Sequence, residues 1–81
     1  MTAKEMFEEL GYEFDDSLID EINYFSKKFI SDTFVINFNL REQTLECFIE
    51  YDSPFTPNRP YSLSIKELKA INKQVEELGW Y

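Results

Sequence analysis

Residues 34–51 read FVINFNLREQTLECFIEY, and the spacing within them decides the fold. Phe34, Ile36, Phe38 and Leu40 alternate with Val35, Asn37 and Asn39, and Leu45, Cys47, Ile49 and Tyr51 alternate with Glu46, Phe48 and Glu50. A period of two sends successive side chains to opposite faces, the pattern of a half-buried strand. The short polar stretch Arg41-Glu42-Gln43 between the two runs makes an antiparallel hairpin the economical reading. Phe48 then lies on the outer face of its strand, opposite the Leu45 set.

Working outward toward the N-terminus, residues 19–29 carry two signals. Ile22, Phe25 and Phe29 fit one face of a helix, while Tyr24 and Phe25 favour a strand. A strand over residues 22–28 is preferred, because a third strand makes a sheet large enough to be stable beside helices. Toward the C-terminus, residues 52–60 (DSPFTPNRP) place three prolines in nine positions. So few ladder donors remain there that the stretch reads as a loop.

Both ends read as helices with built-in starts and stops. Thr2 and Glu5 stand at capping-box spacing, with Met1 and Met6 placed to staple over the cap. Ala3, Met6, Phe7 and Leu10 follow on one face, and Gly11 sits where a left-handed stop is wanted, so a helix is expected over residues 3–10. The device recurs with Ser64 and Glu67 as the box and Leu63 and Leu68 as the staple. Leu68, Ile71, Val75 and Leu78, extended by Ile65 and Trp80, form the apolar set of a helix over residues 65–78, closed by Gly79. The expected architecture is α+β in the order α-β-β-β-α. One single domain over residues 1–81 packs one face of a three-stranded antiparallel sheet on two helices.

A chain of 81 residues buries only about 60% of its unfolded surface, so its core has to be efficient. Eight Phe, five Tyr and one Trp meet that need, each able to bury roughly 150–250 Å². The first residues lack the basic-then-apolar order of a signal peptide, and no run of about 18 apolar residues occurs. The expectation is a soluble protein of the cytoplasm.

The chemistry of catalysis is hard to assemble from these residues. There is no histidine, which removes the commonest general base and transition-metal ligand, and with it Ser-His-Asp and Cys-His arrangements. The lone Cys47 offers neither a disulfide nor a thiolate zinc site, has no basic neighbour to activate it, and reads as a buried, inert thiol. Two glycines cannot write a phosphate-binding loop. Asp15, Asp16, Asp20 and Glu21 are oxygen donors but lack the spacing of a calcium loop, and read as a solvated acidic turn. No catalytic residue, cofactor or metal is therefore expected, and the function expected is protein binding.

Charge indicates the kind of partner. The net charge is −8, and residues 1–21 alone hold eight acids against Lys4. Such a balance disfavours direct contact with nucleic acid or an anionic membrane and favours a protein partner with a basic surface. The candidate contact residues are Glu5, Glu8, Glu9, Glu13, Asp15 and Asp16, set against the plainer reading that they only keep the chain soluble. Phe55, between Pro54 and Pro57, is either an exposed contact anchor or a cover for the sheet edge and Phe48. Trp80 is expected to close the last helix against the core. The chain is expected as monomer or homodimer, and a sheet edge together with outward Phe48 leaves self-association as the second possibility.

The opening MTAKEMFEELGYE and the ending SIKELKAINKQVEELGW, 30 residues together, resemble small proteins of unknown function from phages and mobile elements of Gram-positive bacteria. The resemblance lies in caps, core faces and helix stops, and carries over no catalytic motif. It implies a phage-type accessory protein working in the bacterial host cell. Small acidic proteins of that origin include inhibitors of host nucleic-acid enzymes and of defence nucleases, the anti-CRISPR kind among them, whose carboxylates occupy a basic groove as phosphates would.

Overall fold

The computed structural model describes residues 1–27, 32–51, 53 and 55–80. Its elements are helix α1 (Ala3–Glu9), strands β1 (Glu13–Asp15), β2 (Glu21–Lys27), β3 (Asp32–Asn39), β4 (Thr44–Tyr51) and β5 (Arg59–Pro60), and helix α2 (Ile65–Glu77). The strands form one antiparallel sheet in the order β1-β2-β3-β4-β5, each pairing with its neighbour in sequence. The domain is thus α+β with two helices, but the sheet has five strands where three were expected.

Both extra strands sit where sequence signals are weak. Asp15 was expected in a solvated acidic turn with Asp16, Asp20 and Glu21, yet Glu13-Phe14-Asp15 pairs with Phe25, Tyr24 and Asn23 of β2. Phe14 points inward against Tyr24, with ring centroids 5.4 Å apart, and that single apolar contact orients a strand too short to display a period. At the other edge Arg59 and Pro60 pair with Ile49 and Phe48, so the proline-rich stretch is not wholly loop. Proline is tolerated on an edge strand because one side of it needs no ladder donor.

The ambiguous segment resolves as a strand. Glu21–Lys27 pairs along its whole length with β3, while position 28 lies outside the described residues. The β3–β4 hairpin turns through Leu40–Gln43. Asn39 Oδ1 accepts the Glu42 N–H at 2.8 Å, and Gln43 takes a left-handed φ of 55°.

Both helix starts carry the expected capping boxes, Thr2 with Glu5 and Ser64 with Glu67. Each such cap contributes about 1 kcal/mol. Both ends close in the same way. Gly11 N–H bonds Glu8 O and Tyr12 N–H bonds Phe7 O, while Gly79 N–H bonds Glu76 O and Trp80 N–H bonds Val75 O. The glycines supply the positive φ that this closure requires, 89° and 73°. Tyr12 then meets Phe7 edge-on, the apolar contact that accompanies such a stop.

The core is Phe7, Tyr12, Tyr24, Ile36, Phe38, Ala70 and Ile71, with Phe14, Phe34, Val75, Leu78 and Trp80 packed around it. Phe7 stacks on Tyr24 at 3.8 Å, and Trp80 lies against Phe38 at 6.2 Å, closing the helix end as expected. One part of the expected apolar set fails: Ile65 and Leu68 are exposed, while Ile71 is buried as expected, together with Ala70 and Gln74. On the buried side Gln74 accepts the hydroxyl of buried Tyr24, so that phenol is not left unsatisfied.

Glu67 and Glu77 bind the helices to the rest of the fold. One oxygen of Glu67 accepts the Ser64 N–H at 2.9 Å, and the other accepts the Tyr12 hydroxyl, which also meets the Tyr61 hydroxyl at 3.0 Å. Glu77, in the last turn of α2, accepts the Ala3 N–H at 2.9 Å and so sits at the start of α1, where the helix dipole favours an anion. Among the described residues every buried polar side-chain atom has a partner.

Candidate functional site

The helices cover one face of the sheet. Strand alternation and the observed register put Glu13 and Asp15 of β1, Glu21, Asn23 and Phe25 of β2, Val35 and Asn37 of β3, and Glu46, Phe48 and Glu50 of β4 on the other. These side chains fall into rows that cross the strands. The central row runs Glu13, Phe25, Val35, Phe48, Pro60. Beside it runs the row Asp15, Asn23, Asn37, Glu46, in which Asn37 Nδ2 donates to Asn23 Oδ1 at 2.8 Å. On its other side Thr33 stands between its register partners Lys27 of β2 and Glu50 of β4.

The rows enclose a shallow depression of about 380 Å³. Its floor is Val35, only 8% exposed although it faces away from the core, flanked by Phe25, Phe48 and the loop residue Leu18. Asp15, Glu21 and Glu50 stand at its rim. The Asp15 carboxyl is held below the usual range by hydrogen bonds from the Ser17 side chain and from its backbone N–H at 2.8 Å. It is therefore charged at neutral pH. Next to the depression the β1–β2 loop exposes Ile19 at 91% and is tied to the β3–β4 turn by Leu40 N–H on Asp20 O at 2.8 Å.

The contact residues expected from sequence do not form one surface. Glu5, Glu8 and Glu9 are exposed on α1, on the helix side of the sheet. Glu5 is already engaged in its capping box, and the hydrogen bonds from Thr2, backbone first, lower its pKa. Glu13 and Asp15 lie on the outer face, and Asp16 follows them, exposed, beyond the end of β1. Phe55 is 93% exposed in the β4–β5 connection, so it covers neither the sheet edge nor Phe48. Sequence reasoning placed Phe48 outward but passed over its companions Phe25, Val35, Glu46 and Glu50. The signal for them was the same alternation, read there for the core rather than for the opposite face.

Elsewhere the chemistry is quiet. Cys47 faces the core opposite Ile36, and burial, with a smaller contribution from the Glu67 charge, pushes its thiol pKa up. A raised thiol pKa leaves little of the nucleophilic thiolate. Among the described residues no three acidic, cysteine or histidine side chains converge as a metal cluster would require. No helix among them is long and apolar enough to cross a membrane.

The fold and site define a small α+β domain whose five-stranded sheet carries helices on one face and an acidic, partly apolar surface on the other. No protein-family model, curated protein or solved structure matches the chain.

Proposed function

We propose that this chain is a non-catalytic protein that acts by binding a protein partner, and that the partner presents a basic surface. The observation that supports this most is the bare sheet face: a row of phenylalanine and valine bordered by carboxylates. Apolar contact supplies affinity there, while the carboxylates steer the partner and reject acidic competitors. The resemblance of the chain ends to phage and mobile-element proteins extends the reading to an accessory protein of the bacterial cytoplasm that inhibits a host nucleic-acid enzyme or defence nuclease.

The test is affinity capture from a Gram-positive host lysate, eluted by rising salt. The expected result is a nucleic-acid enzyme that leaves as salt rises from about 0.1 to 1 M, over which the Debye length falls from about 10 to 3 Å. Binding should weaken in a variant carrying Glu8→Gln, Glu9→Gln, Asp15→Asn and Asp16→Asn. Because the structure sets the first pair on α1 and the second at β1, the two double variants report which side is used. Unchanged affinity in all three removes the charge reading.

A second reading, self-association, is favoured by one observation. β5 pairs only with Phe48 and Ile49, so the edge of β4 over Thr44–Cys47 has no strand beside it among the described residues. An open edge of this kind pairs readily with a second copy. Sedimentation as a monomer at high micromolar concentration would eliminate it.

A further inference from the structure

We infer that the outer face of the sheet receives an α-helix of the partner, amphipathic and flanked by lysine or arginine, lying across the strands. The inference rests on the reading above that the partner is a basic protein, and adds which face is used and what element occupies it.

Backbone hydrogen bonding selects the element. The central row of Phe25, Val35 and Phe48 lies on β2, β3 and β4, each of which already has a strand on both sides at these positions. An extended segment laid on that face would find no backbone partners and would leave its own polar groups dry against phenylalanine, which is costly. A helix satisfies its backbone internally and brings only side chains.

Dimensions and charge agree. The five strands span about 19 Å at about 4.8 Å each, the length of a helix of about thirteen residues. Successive rows on one face are about 7 Å apart, so the Asp15–Glu46 row and the Glu50 row stand about 13 Å from each other. A helix with side chains is about 10–12 Å across and fits between them. Its apolar stripe meets Phe25, Val35, Phe48 and Leu18, and its flanking cations meet Asp15, Glu46 and Glu50. The inner face already takes helices in this way, with Phe7 and Ile71 set against Tyr24 and Ile36.

The test uses a synthetic peptide of about fifteen residues, with leucines at helical spacing and lysines on both flanks. A second peptide has the same composition but dispersed leucines. Both are titrated into the isotope-labelled full chain and followed by amide chemical shifts at low salt. The expected result is helical binding of the first peptide, with shifts centred on Asn23, Phe25, Val35, Asn37 and Phe48. Phe48→Ser should weaken it about tenfold, as loss of an aromatic anchor does. Because that change also alters the half-buried sheet surface, Glu46→Gln with Glu50→Gln serves as the second variant. It removes only exposed charge and should weaken binding about threefold or more.

Shifts confined to α1 around Glu8 and Glu9 would overturn the inference while sparing the basic-partner reading. Equal binding of the dispersed peptide would overturn it too, by reducing the contact to charge alone. An outer face found covered by a second copy, seen as slow diffusion and no response to peptide, would do the same. If neither peptide binds anywhere at low salt, the basic-partner reading falls with it.

Discussion

Phe7→Ala is expected to bring the protein close to unfolding at room temperature. Phe7 is fully buried, stacks on Tyr24 at 3.8 Å and meets Tyr12 edge-on at 5.6 Å. Truncation removes both ring contacts and opens a ring-sized cavity between α1 and the sheet. Phenylalanine-to-alanine changes in such settings cost about 3–5 kcal/mol. A domain of 81 residues has roughly 4–12 kcal/mol in all. The effect is amplified because α1 has only seven residues and cannot persist without tertiary support. Urea denaturation should show the loss directly, and the melting temperature should fall by roughly 20 °C. A loss below about 1 kcal/mol would mean that α1 does not anchor the core as described.

The second large effect is alkaline unfolding led by tyrosine. Burial raises the pKa of Tyr12, Tyr24 and Tyr61, with Tyr24 and Tyr61 pushed up to about 12. For Tyr12 the bonds to Glu67 and Tyr61 add to the effect, and for Tyr24 the charges of Glu77 and Glu8 do. A phenol whose folded pKa exceeds its unfolded value of about 10 holds its proton more tightly in the native state. Its contribution is fully present below pH 10 and is lost as pH rises toward and through the folded pKa. In that window each buried tyrosine shifts the folding equilibrium toward the unfolded state by up to about tenfold per pH unit.

Tyrosinate absorbance, which reports the phenols themselves, is the decisive signal rather than circular dichroism alone. Ionisation of Tyr12 and Tyr24 should be delayed above pH 10 and coincide with loss of structure. Tyr24→Phe should remove one of the delayed steps and leave Gln74 without its partner. Ionisation of all tyrosines near pH 10 with the fold intact would contradict the buried hydroxyl network.

The reach of sequence reasoning followed interaction range. Capping boxes and glycine stops act within about five residues, and at both ends of the chain they proved readable to within a residue. The β3–β4 hairpin was readable because eight-residue strands carry several cycles of alternation. β1 and β5, of three and two residues, carry less than two cycles, and only pairing with a longer neighbour makes them strands. Ile65 and Leu68 misled because an apolar stripe tells which residues prefer burial, not which way the helix is turned. The side that is buried carries Gln74, bonded to Tyr24, a residue 50 positions away that no local pattern could point to.

The candidate site divides along the same line. Charge, composition and the lack of histidine belong to the sequence alone, and so does the outward direction of Phe48, since alternation is local. The grouping of those charges does not. Glu8 and Glu9 are near Asp15 in the chain, but the sheet separates them. Glu46 and Glu50 are distant in the chain, yet they share a face with Asp15 because three registers align their rows. Nothing local encodes a register across four strands. It is set by which side chains the core accepts, and only the folded sheet turns scattered acids and aromatics into one surface.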